Sequence, residues 1–169
     1  VEGLGVTYAP CLSCGSTAQR LVVSLGRQPL ANSYLRADQL DAEEPRFPLD
    51  LLLCEACHLV HIEPMATSEE IFSDYAYFSS FSDSWLRHCQ RYVERIVPRL
   101  GLGPDSRVIE IASNDGYLLQ YFVAAGVPCL GIEPAANVAA EAVRRGVPTE
   151  VAFWGTATAA RVVDEGGRA

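Results

Sequence analysis

Val108-Ile109-Glu110-Ile111-Ala112-Ser113-Asn114-Asp115-Gly116 is the stretch on which the fold turns. Its first residues are apolar and β-branched on both sides of Glu110, as in a strand buried on both faces. The small and turn-forming residues that follow deliver the chain into a helical pattern over Tyr117 to Ala125, closed by Gly126. Strand, tight turn and helix make the opening of a βαβ unit. Working outward, Cys129 to Glu133 reads as a second strand and Ala136 to Arg145 as a second helix ending at Gly146. Val151 to Phe153 reads as a third strand and Thr156 to Asp164 as a third helix. Such alternation predicts an α/β fold with a parallel, Rossmann-like sheet covered by helices over residues 104–169.

Ligands of such sheets bind outside the carboxyl ends of the strands, beside the first helix. A dinucleotide fingerprint would read G-x-G-x-x-G and cradle a pyrophosphate. Here only Gly116 is glycine, with Ala112 and Asn114 at the other small positions and Ser113 and Asp115 between them. Acidic Glu110 would repel a pyrophosphate and suits a cationic or zwitterionic group. Glu133 ends the second strand 17 residues beyond Gly116, where a carboxylate can accept hydrogen bonds from both hydroxyls of a ribose. S-adenosylmethionine has that ribose, a sulfonium and an ammonium group, and no phosphate. Glu110, Ser113 to Gly116 and Glu133 together therefore favour it over NAD. The plainer alternative makes both glutamates solvated strand ends and Asn114-Asp115-Gly116 a simple turn.

Residues 66–103 read as a helical linker. Thr67 and Glu70 have capping-box spacing and open a short helix toward Phe72. An aromatic and serine-dense run, Asp74 to Phe81, follows. Ser82 or Asp83 then caps a longer helix, whose apolar residues from Trp85 to Leu100 keep a 3.6-residue period. Gly101 marks its end, and Pro98 is expected to kink or fray the last turn.

Residues 1–65 form a third stretch, rich in Pro, Gly and Cys. Short apolar runs at Leu21-Val22-Val23 and Phe47 to Leu53 read as strands, the second leading into Cys54. Cys11-x-x-Cys14-Gly15 and Cys54-x-x-Cys57-His58 are two equal pairs separated by 39 residues. A two-residue gap lets a tight turn aim both thiolates at one ion, and two such turns complete a tetrahedral zinc shell. Four protein ligands leave no open position, so the zinc is structural. His58 and His61 lie close enough in sequence to replace a ligand. Six cysteines with no secretory signal suggest a reducing, cytoplasmic setting. The net charge of −8 argues against nucleic acid or an anionic membrane as partner, and no apolar run reaches bilayer length.

The combination resembles one family, the bacterial sugar C-methyltransferases that act on nucleotide-linked 4-keto-deoxysugars in antibiotic deoxysugar biosynthesis. The likeness rests on CxxC-G, on Arg46 to Leu51 leading into CxxCH, on Tyr75 to Ser82, on Glu110 to Gly116 and on Gly131-Ile132-Glu133-Pro134-Ala135. It implies that S-adenosylmethionine meets Asn114, Asp115, Gly116 and Glu133, and the expected cofactor site also takes in Glu110, Ala112, Ser113 and Pro134. It also implies that Phe78, Ser79, Ser80 and Ser82 line the pocket, with Tyr75 and Tyr77 nearest the chemistry and a nucleotide sugar as the partner. Packing of a linker on the sheet accounts for the aromatic run equally well. The family's sheet has more strands than the three legible here. The expectation is therefore of an N-terminal portion, inactive by itself, with the general base in an absent C-terminal half. Two further readings stay open: a nicotinamide-dependent nucleotide-sugar oxidoreductase, and a non-catalytic zinc-binding scaffold.

Overall fold

The computed structural model describes residues 7–167 and 169. They form a mixed α/β protein that divides into two compact units, the first ending at Ile71 and the second starting at Phe72. The helical linker expected over 66–103 is divided between the two units at Ile71 and Phe72. Its long helix lies inside the second unit, because its apolar stripe is needed to cover the parallel sheet.

In the first unit three strands form an antiparallel sheet in chain order: β1 (Gln19–Gln28), β2 (Phe47–Cys54) and β3 (Val60–His61). β1 is much longer than the Leu21–Val23 run predicts. It follows β2 for its whole length by absorbing two register shifts, one past Leu21 and one between Ser24 and Arg27. The second shift contains Gly26 at φ +71°, a left-handed conformation that glycine adopts without a steric cost. The short helix α1 (Ser68–Phe72) begins with the expected capping box. Glu70 N–H donates to Thr67 Oγ1 at 3.1 Å, and Thr67 N–H donates to Glu70 Oε2 at 2.7 Å. Among the described residues of this unit only Cys11, Leu52 and Cys54 are buried. Three buried residues cannot offset the chain entropy of about 65 ordered ones, so this sheet depends on a covalent or metal staple.

The second unit runs α2 (Asp83–Leu100), β4 (Val108–Ile111), α3 (Leu119–Ala124), β5 (Cys129–Ile132), α4 (Ala136–Arg144), β6 (Thr149–Glu150) and α5 (Thr156–Gly166). The strands are parallel in the order β4-β5-β6, with Val108 opposite Cys129 and Gly131 opposite Thr149. β6 lies two residues earlier than Val151 to Phe153. β5 ends at Ile132, opposite Glu150, so later residues have no strand to pair with. Ser82 caps α2 by accepting from Trp85 N–H. Pro98 does not break that helix, which closes on Gly101 at φ +64° with Leu102 N–H donating to Val97 O at 2.9 Å. On one side of the sheet Val93 of α2, Leu119 and Phe122 of α3, Val127, Ala142 and Val147 form the core. Arg107 ties down the end of α5 by donating to Val162 O at 2.9 Å and Gly167 O at 2.7 Å. Among the described residues no helix is long and apolar enough to cross a membrane.

Close approach at the sheet centre positions the site. A β-carbon at Gly131 would fall 2.9 Å from Ser113 Cβ and closer still to its hydroxyl. Gly131 is thus glycine so that the turn after β4 can lie flat on β5. Gly131→Ala should lower stability by about 2 kcal/mol through overpacking. Adding Ser113→Gly should recover most of that loss in urea melts, whereas additive effects of the two changes would refute the contact.

Candidate functional site

The two cysteine pairs come together. The four Sγ atoms all lie within 4.8 Å of one another, with Cys11 3.6 Å from Cys57 and Cys14 3.6 Å from Cys54. Sulfurs about 2.3 Å from a tetrahedral ion stand about 3.8 Å apart, so the cluster has the size of a zinc shell. The two turns are built alike. Gly15 N–H donates to Cys11 O and His58 N–H to Cys54 O, each at 2.9 Å. The residue after each pair is left-handed, Gly15 at φ +73° and His58 at φ +62°. Backbone N–H groups of Cys14 and Ser13 draw the Cys11 thiol down. Against the pull of the Ser16 N–H, the Cys57 and Cys54 sulfurs push the Cys14 thiol up, as expected for crowded thiols. His58 stays outside the cluster, and His61 Nε2 is engaged 2.7 Å from Gln19 Oε1.

Four thiolates of this cluster would fill a tetrahedral zinc shell and leave no position for a further ligand. Chelation should strip one zinc per chain and unfold the first unit. Both tryptophans, Trp85 and Trp154, belong to the second unit. Their fluorescence should persist while antiparallel circular dichroism is lost; a first unit that keeps its sheet without metal would contradict the staple.

The second cluster lies where β4 and β5 end. The turn keeps the backbone shape of a glycine-rich loop although two of its three key residues are not glycine. Ala112 has φ +58°, Asn114 +49° and Gly116 +76°. At Gly116 a β-carbon would also press on Val147 and Ala142 at 3.0–3.2 Å. Glu133, only 5% exposed, sits against this turn. Its Oε2 accepts Asn114 N–H at 2.8 Å, and its Oε1 accepts Ala135 N–H at 2.9 Å. Asp115 is fully buried, and its Oδ2 accepts from Ser80 N–H at 3.2 Å, from the Ser80 hydroxyl and from Arg145 at 3.4 Å. Ser113 is buried below the turn, Ala112 is exposed above it, and Pro134 follows Glu133 half-buried.

Glu110 lies on β4 within reach of the Tyr117 hydroxyl. Burial pushes its carboxyl up to about 7, the charge of Glu133 adds to the rise, and the Tyr117 hydrogen bond opposes it. Burial and the neighbouring Glu110 raise the Tyr117 phenol in turn. Among the described residues, three buried side-chain atoms lack a protein partner: Glu110 Oε2, Ser113 Oγ and Asp115 Oδ1. All three belong to this one turn and the strand feeding it, so unfilled polar capacity is concentrated at the strand ends.

The aromatic run passes beside the turn. Ser79 N–H donates to Asn114 Oδ1 at 2.9 Å and Asn114 Nδ2 donates to Tyr77 O at 3.0 Å. Tyr75 is half-buried, Tyr77 is 50% exposed, and Phe78 packs on Phe81 with ring centres 5.7 Å apart. The Ser82 hydroxyl is engaged in capping α2. The sequence motifs assign no site role to Tyr117, Arg145 or Asn137, and include Gly131 without a reason for its being glycine. An asparagine in the first turn of a helix, where it is a poor helix former, was the one local signal for Asn137.

The folded protein keeps the Glu110 proton up to about 7, while an unfolded chain releases it near the ordinary 4.5. Stability from this group is present at low pH and is lost as pH rises through that window. Glu110→Gln should therefore raise the melting temperature at pH 8 relative to the unsubstituted protein and leave it unchanged at pH 4.5. An equal effect at both pH values would contradict the burial argument.

The Methyltransf_13 family model, a zinc binding domain, matches residues 11–72. The C-methyltransferase NovU of Streptomyces niveus is 35% identical over 139 residues, which is 82% of this chain and 33% of that protein. The chain thus spans about a third of the length of the curated relative it matches. These matches put residues 11–72 in that zinc-binding domain family and relate the chain to the N-terminal part of a C-methyltransferase family.

Proposed function

We propose that this chain is the zinc-stapled, cofactor-binding part of an S-adenosylmethionine-dependent C-methyltransferase that acts on a nucleotide-linked 4-keto-deoxysugar. The observation that carries the cofactor reading is Glu133. Its carboxylate already takes the Asn114 amide, the kind of turn N–H that a pyrophosphate would need. Each Glu133 oxygen keeps a further lone pair for a ribose hydroxyl. Glu110, Asp115 and Glu133 converge on one turn, with Arg145 as the partner of Asp115. This acidic lining disfavours phosphate, and a sulfonium or ammonium group beside Glu110 would favour the charged form that burial otherwise holds back to about pH 7.

When bound, the cofactor supplies a methyl group on positively charged sulfur. The chain's own residues orient and exclude water. Glu133 would hold the ribose hydroxyls, Glu110 would lie toward the cationic end, and Tyr75 and Tyr77 would be the groups available to position a sugar. A ketone at C4 of that sugar acidifies the proton on C3, and its removal leaves an enolate carbon as nucleophile. A phenol hydrogen bond to the enolate oxygen would steady that charge, and alignment of the two carbons does most of the remaining work. We assign the base to residues outside this chain, so this chain alone binds without turnover. The net charge of −8 argues against nucleic acid as the partner.

Titration calorimetry with S-adenosylhomocysteine and NAD separates the readings. We expect the former to bind, NAD to bind at least about tenfold more weakly, and Glu133→Ala to cost S-adenosylhomocysteine about 2 kcal/mol, or roughly thirtyfold. Tighter binding of NAD would favour the oxidoreductase and overturn the proposal.

A further inference from the structure

Tyr75 to Phe78 belongs to no helix or sheet, yet side chains from distant parts of the chain take up its backbone groups. Asn137, in the first turn of α4, accepts Tyr75 N–H at 3.2 Å and donates to Tyr75 O at 2.8 Å. Asn114, in the turn after β4, accepts Ser79 N–H at 2.9 Å and donates to Tyr77 O at 3.0 Å. Asp115 takes Ser80 N–H at 3.2 Å. A carboxamide carries one donor face and one acceptor edge, as a peptide group does. Each asparagine therefore replaces the neighbouring strand this segment lacks.

The placement of the anchors matters more than their number. Asn137 stands beyond the end of β5 and Asn114 beyond the end of β4. A segment tied at Tyr75 to one and at Ser79 to the other must cross the gap between those two strand ends. That gap is where the turn, Glu133 and the unpartnered polar atoms meet. Tyr77 lies mid-span and half exposed.

We propose that Tyr75 to Ser80 is a strap closing the nucleoside pocket, and that Asn137 and Asn114 are the positioning residues that hold it shut. This rests on the cofactor reading above and adds the groups that control ligand entry and release. The asparagine ties are neutral hydrogen bonds, each individually weak, whereas the Ser80 end is anchored on the Asp115 carboxylate. The strap can therefore open without unfolding the sheet, and a ligand beneath it should hold it closed. Tyr75 and Tyr77 ride on the strap, so a sugar would meet its ordered pocket only after the cofactor is in place.

Hydrogen exchange on the full chain, read by mass spectrometry over residues 75–81, tests this alongside stopped-flow release of S-adenosylhomocysteine. Asn137→Ala should speed strap exchange and ligand release by about tenfold, with the melting temperature and the exchange of β4 and β5 unchanged. Asn137→Asp, which keeps the acceptor and loses the donor, should fall between. Saturating S-adenosylhomocysteine should slow strap exchange in the unsubstituted chain. Normal ligand binding with a strap indifferent to both ligand and substitution would overturn the strap. No binding of S-adenosylhomocysteine by the unsubstituted chain would instead overturn the cofactor reading on which it rests.

Discussion

The second unit depends on one carboxylate held by two backbone amides. Glu133 joins the turn after β4 to the turn after β5 through Asn114 N–H and Ala135 N–H. Hydrogen bonds to an ionised acceptor in a nearly dry setting are about twice as strong as neutral ones. They also fix the sign of whatever binds above. With an internal anion seated on the turn, a phosphate is unwelcome and a ribose or a cation is not. On the proposed reading one residue serves both the architecture and the choice of ligand.

That arrangement stabilises a backbone the residues themselves do not favour. Ala112 and Asn114 are left-handed without being glycine, which costs about 1–2 kcal/mol for alanine and less for asparagine. Asn114 offsets its share by using its side chain on Tyr77 and Ser79. Ala112 has no such group, and its conformation is held by its own N–H donating to Ile132 O at 2.8 Å. The Gly131 gap beneath Ser113 completes the fit. Local strain, an internal salt-like clamp and a packing hole are three aspects of one turn.

Legibility in the sequence followed the range of the interaction. The cysteine pairs, the capping box at Thr67 and the strand–turn–helix from Val108 are set by neighbours a few residues apart, and they read correctly except that α3 starts at Leu119 rather than Tyr117. The shift of β6 from Val151 to Thr149 depends on where β5 ends, which no local pattern encodes. The strap was legible only as composition, because its partners lie 35 to 62 residues away. For the same reason the burial of Asp115 against Ser80 and Arg145 could not be read from its neighbours in sequence. Long polar ties between loops leave no period to count.

The most direct measurement is an amide NMR titration of the zinc-loaded chain with S-adenosylhomocysteine and, separately, with NAD. The account predicts that S-adenosylhomocysteine moves the resonances of residues 112–116, 133–137 and 75–80 together, with one affinity, and that NAD leaves them nearly still. Shifts produced by NAD at the Asn114 and Glu133 amides, with S-adenosylhomocysteine inert, would contradict it.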